Sequence, residues 1–139
     1  MDKRMLAVDG VFLMGLLFIV LGIIHCIAAP LMMRNNLGMM LPDESHATLY
    51  MILATGAATI FCGWILLFAS KGMRLIQPWA WRLATRVTIF LCLMGLGAVV
   101  AMLSNPFAHL MLGMDIALII ILAQSAKLLR PDIRESWPK

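Results

Sequence analysis

The chain has 139 residues, of which 63% are hydrophobic and 13% charged, with a formal net charge of +4 and a mean hydropathy of +0.95. A water-soluble domain is nearer half apolar and a quarter charged, and a chain this short has too little interior to hide the excess, so lipid must cover the rest. The basic balance does not point to nucleic acid, because no Lys/Arg run is joined to an aromatic platform outside the apolar stretches.

Four apolar spans follow in chain order. The opening Met1-Asp2-Lys3-Arg4 leads into an apolar stretch longer than the roughly 7 to 15 residues of a signal-peptide core, so a retained anchor is expected. The first span covers about 10–29, with Pro30 expected to end it by withholding a backbone donor. A Met-rich outer loop is expected over 30–46, where Met32, Met33, Met39 and Met40 bracket Arg34 and the Leu-Pro-Asp-Glu-Ser stretch reads as turn-forming. The second span covers about 47–70 and leaves the helix at Lys71-Gly72. The third, about 79–103, starts with Trp79 and Trp81 at the headgroup level and Arg82 and Arg86 reaching toward water. A short Ser104-Asn105-Pro106 turn leads to the fourth, about 107–126, and to a polar cytoplasmic tail over 127–139.

Orientation follows from charge. Of the 11 Lys and Arg residues, only Arg34 lies on the far side; Lys3, Arg4, Lys71, Arg74, Arg82, Arg86, Lys127, Arg130, Arg134 and Lys139 all flank the spans on the other. Cytoplasmic loops carry such an excess. An even number of spans independently puts both termini on one side, here the cytoplasmic side of a bacterial or archaeal membrane. Short connections favour antiparallel neighbours, so the expected fold is an all-α integral membrane protein with four transmembrane helices in an up-down-up-down bundle. Gly15 and Gly22 in the first span, and Gly56 and Gly63 with Thr59 between them in the second, are spaced by seven and form small faces on which helices can approach closely.

Intramembrane polar groups are the candidates for chemistry. Asp115 is the only ionisable acid or base deep in a span, roughly 13 Å from the outer end of the fourth helix. It reads as a neutral hydrogen-bonded acid, a proton- or ion-binding carboxylate, or an anchor for a partner's cation. His25, His46 and His109 gather toward the outer face, and in an up-down bundle His25 and His109 could meet at similar depth. That would suit the axial ligands of a b-type haem, with Gly22 and Gly113 leaving room for the porphyrin. The three histidines together could ligate zinc or copper, and the methionine sulfurs suit Cu(I). The plainer readings are interfacial histidines and a flexible apolar loop that contacts partners or lipid, with Arg34 beside Asp43, Glu44 or a lipid phosphate.

Cys26, Cys62 and Cys92 form no C-x-x-C pair and read as small apolar residues. Tyr50, Thr55, Thr59, Thr88 and Ser125 could bond between helices but more often bond back to their own. No nucleophile elbow, zinc-protease motif or phosphate loop is present, so an enzyme is not expected. Three functions are therefore carried forward. The first is an accessory or scaffolding subunit that binds other membrane subunits or itself. The second is a small oligomeric transporter or proton-conducting unit using Asp115 with His25 and His109. The third is a haem-bearing electron-transfer subunit.

Overall fold

A computed structural model describes residues 3–36 and 42–103, together with 120, 121, 123, 124, 127, 128, 130–135 and 137. Its helices are α1 (Lys3–Asn36), α2 (Pro42–Arg74), α3 (Pro78–Leu103) and a short α4 (Pro131–Glu135). The described residues within 120–128 are also helical. Three segments, Lys3–Ala28, Leu53–Arg74 and Pro78–Gly97, are long and apolar enough to cross a membrane. This marks the chain as an all-helical membrane protein among the described residues. The fourth span expected over 107–126 lies mostly outside them.

The fold is organised by a seam between α1 and α2. Val8, Val11, Gly15, Phe18 and Gly22 are buried on α1, and Gly56, Thr59, Gly63, Leu66, Ser70 and Met73 are buried on α2. Both sets advance by alternating steps of three and four, the repeat that stays on one seam when two helices supercoil left-handedly. The glycines meet in reciprocal pairs. A Cβ built on Gly15 would lie 2.9 Å from the carbonyl oxygen of Gly63, and one on Gly63 would lie 2.7 Å from the carbonyl oxygen of Gly15. Gly22 and Gly56 repeat the arrangement at 2.7 and 3.2 Å. In both pairs the residue numbers sum to 78, which fixes an antiparallel register. Side chains are missing where the backbones touch, and the gain is close van der Waals packing, the main attraction available between helices in lipid.

Large apolar side chains face outward instead. Leu13, Leu16, Val20, Ile23 and Ile27 on α1, Phe61, Trp64 and Phe68 on α2, and Phe90, Leu93 and Val100 on α3 are exposed. The buried hydroxyls of α2 and α3 are turned onto their own helices. Thr59 donates to the Thr55 carbonyl at 2.6 Å, Ser70 to Leu67 at 2.7 Å and Thr88 to Ala84 at 2.7 Å. Such bonds remove the cost of an unsatisfied hydroxyl in a medium without water.

Several boundaries differ from the sequence expectation. α1 runs through Pro30 to Asn36, because one missing N–H deprives only the Cys26 carbonyl of its helical partner while the helix continues on both sides. At about 51 Å it exceeds the roughly 30 Å hydrocarbon thickness. The expected loop over 30–46 is therefore helical in both arms, since α2 already begins at Pro42. Proline suits the first helical position, and Asp43 and Glu44 suit the first turn, where the helix dipole favours negative charge.

α2 also passes the Lys71-Gly72 exit and stops at Arg74. Gln77 N–H donates to the Gly72 carbonyl at 3.1 Å and Ile76 N–H to the Met73 carbonyl at 3.0 Å, the bond pattern of a Schellman cap. Its left-handed position is held by Ile76, with φ 56, where glycine is usual. Gly72 itself lies against Trp79 and Ala80 at the start of α3. Of the two tryptophans expected at the headgroup level, Trp79 is exposed and stacks on Phe68 at 5.3 Å. Trp81 instead packs against the core with its Nε1 enclosed, because two residues along a helix is more than half a turn.

Three outcomes follow. Gly63→Val should weaken the α1–α2 hairpin by about 1–3 kcal/mol, the usual cost of overpacking, read from detergent titration of reconstituted protein. Gly97→Ala, where a Cβ meets nothing within 4 Å, should not weaken it. Ile76→Gly should stabilise the fold by about 0.5–1 kcal/mol, as relief of the left-handed isoleucine outweighs the added freedom of the unfolded chain.

Candidate functional site

The described structure concentrates its inter-element polar contacts at one end, where the start of α1, the end of α2 and the C-terminal segment converge. Arg74 donates to Asp9 at 3.3 Å and lies over the Phe12 ring, 5.5 Å from its centroid. Lys3 donates to Asp132 at 3.2 Å. Both ion pairs are exposed, with side-chain exposures of 76% and 45% for Lys3 and Asp132, so solvent screens them and they act more as register marks than as sources of stability. The Lys3 ammonium bonded to Asp132 holds that carboxyl below the ordinary value of 3.8. Because the folded value is depressed, the contribution of the pair is present above the ordinary carboxylate range and is lost as pH falls through the folded value.

Beneath this ionic layer Gln124, only 7% exposed, sends its amide Nε2 to the Ala7 carbonyl at 3.4 Å. Gly10 makes this possible, because a Cβ there would collide with the Gln124 amide. α1 thus presents two adjoining faces. Val8, Val11, Gly15 and Gly22 meet α2, and Ala7 and Gly10 meet the C-terminal helical residues. Within the polar tail expected over 127–139, Leu128, Ile133 and Trp137 are all buried. Ile133 within α4 and Trp137 just beyond it are apolar residues among the polar ones of this segment.

The expected outer site is only partly placed. His25 is half-buried, and its Cβ lies 3.3 Å from a Cβ built on Gly56. It therefore continues the α2-facing seam three residues beyond Gly22. The space over Gly22 that was expected to admit a porphyrin is filled by the Gly56 carbonyl and by Ile60. His46 falls in the first turns of α2 and Met32, Met33 and Arg34 in the last turns of α1. The seam register sets His46 level with position 32, about 10 Å along the axis from His25. His109, Gly113, Asp115, Met39 and Met40 lie outside the described residues. Among the described residues, no three His, Cys, Asp or Glu side chains are grouped to hold a metal ion. Cys26, Cys62 and Cys92 are free thiols.

Sequence reasoning missed Asp9, Gly10 and Gln124. Gln124 had a readable signal, an amide inside an apolar run, where hydrogen bonding to a neighbouring helix is common. Asp9 and Gly10 had none without the register. No protein-family model, curated protein or solved structure matches the chain.

Two measurements check this end of the molecule. Lys3→Ala should return the Asp132 carboxyl toward its ordinary value in an NMR titration, whereas an unchanged titration would show that the pair does not form. Gln124→Ala should cost less than about 1 kcal/mol, in line with hydrogen bonds between membrane helices, and Gly10→Val about 1–3 kcal/mol by displacing the C-terminal segment.

Proposed function

We propose that the chain is an accessory or scaffolding subunit of a membrane assembly, acting through the outer surface of a closed helical hairpin. The observation that carries this reading is the fate of the interior hydroxyls. Thr59, Ser70 and Thr88 each donate their one hydroxyl proton to a carbonyl of their own helix, so none of the three is a donor to a neighbouring helix or to a ligand between α1, α2 and α3. What the hairpin offers to its surroundings is a broad apolar surface led by Phe61, Trp64, Phe90 and Leu93.

Both terminal segments are read as cytoplasmic. The Lys3–Asp132 contact, which joins the start of α1 to the C-terminal segment at the basic end, supports placing them on one side. Transport and haem binding would draw on Asp115 and His109.

Extraction of the tagged full-length chain in mild detergent, followed by quantitative mass spectrometry, tests the proposal. A membrane protein recovered in fixed stoichiometry is expected. Asp115→Asn should leave proton uptake by proteoliposomes unchanged. A chain that purifies alone as a monomer, with proton uptake abolished by Asp115→Asn, would overturn the accessory reading in favour of conduction.

A further inference from the structure

α3 carries a single exposed stripe along its length: Trp79, Arg82, Arg86, Ile89, Phe90, Leu93, Leu96 and Val100. At 100° per residue these positions fall within about one third of the helix circumference. The stripe changes character with depth. It begins with an aromatic ring, passes through two arginines one turn apart, and continues as uninterrupted apolar surface.

Arg82 and Arg86 stand about 6 and 12 Å along the axis from Pro78. Their side chains lean toward the helix N-terminus, as all helical side chains do. On α3 that is the end where Arg74, Lys3 and Asp132 also lie, so both guanidinium groups are carried toward the membrane surface while their stems cover apolar backbone. Phe68 stacked on Trp79 joins the end of α2 to this face, and Lys71, exposed one turn beyond Phe68, adds a third cation.

Among the described residues neither arginine is paired with an acid, and the sequence contains no Asp or Glu between Ser45 and Met114. Two of the acids at this end, Asp9 and Asp132, are already bonded to Arg74 and Lys3. Cations beside hydrocarbon call for an anionic partner. The order aromatic, cationic, apolar along one face matches the anatomy of a phospholipid rather than a soluble anion. Arginine forks suit phosphate oxygens, and the surface below them suits acyl chains.

We propose that the α3 stripe is a binding site for an anionic phospholipid. Its phosphate is held by Arg82 and Arg86 with Lys71 alongside, and its acyl chains lie along Ile89, Phe90 and Leu93. The site is independent of the accessory-subunit reading, since it concerns what covers this face in the bilayer.

Native mass spectrometry of the full chain, in detergent doped with equal phosphatidylglycerol and phosphatidylcholine, tests it. The wild-type chain should retain phosphatidylglycerol in preference. Each arginine-to-glutamine change should reduce that preference about fivefold, and Arg82→Gln with Arg86→Gln together roughly twenty-five-fold. The Arg82→Lys/Arg86→Lys chain, which keeps the charge, should recover much of it and shows that the glutamine effect is not misfolding. Arg130→Gln with Arg134→Gln, at the same end but on the C-terminal segment, should leave it unchanged. Equal retention of the two lipids by the wild type would overturn the proposal and point to a partner protein's acid instead. So would an unaltered preference in the double glutamine variant, or an equal loss in the C-terminal one.

Discussion

Two glycine pairs bring α1 and α2 so close that neither helix can carry a side chain at those points. Much of the described structure follows from that approach. With backbones in contact at Gly15–Gly63 and Gly22–Gly56, small residues such as Val8, Val11, Thr59 and Ser70 line much of the seam, and Phe18, Leu66 and Met73 fill it between and beyond the glycine pairs. The bulk that a soluble protein would bury is turned outward, where lipid receives it without penalty. The register set by the glycines also aligns the ends, so that Asp9 on α1 reaches Arg74 at the end of α2, although the two are far apart in sequence.

A second, lighter contact uses the same device. Gly10 clears a path for Gln124, and the C-terminal helical residues settle on the face of α1 that α2 leaves open. α3 is held differently, by Ala80, Ala84, Thr88 and Leu91 on its buried side and by the cap that turns α2 into it. The outcome is an arrangement built outward from α1 and α2 in which, among the described residues, the ionic contacts lie at one end and the buried hydroxyls are kept within their own helices. Such an interior is suited to holding a shape, and the outer surface is left to meet lipid and other helices.

Much of this was legible in the sequence, and the misreadings have physical causes. Composition alone indicated lipid, and the length of the apolar runs marked α1, α2 and α3 as membrane helices. The glycines stood out by their spacing, but spacing carries no register, so their partners could not be named. Proline misled twice in opposite ways. Pro30 was read as a terminator although a long membrane helix absorbs one missing donor, and Pro42 was read as part of a turn although it opens α2 with acids behind it. The C-terminal segment was judged by its charges, which concealed Ile133 and Trp137. For His25 depth was readable and direction was not: its Cβ lies beside Gly56 on α2, while His109, the residue it could meet on the fourth span, lies outside the described residues.

Cysteine cross-linking across the seam tests the glycine register most directly. In a chain with Cys26, Cys62 and Cys92 replaced by alanine, cysteines at Ile19 and Thr59, whose numbers sum to 78, should form a disulfide readily in native membranes. Cysteines at Ile19 and Leu66, displaced by two turns, should not. Cross-linking of the displaced pair in preference to the aligned one would contradict the glycine seam and the structure built on it.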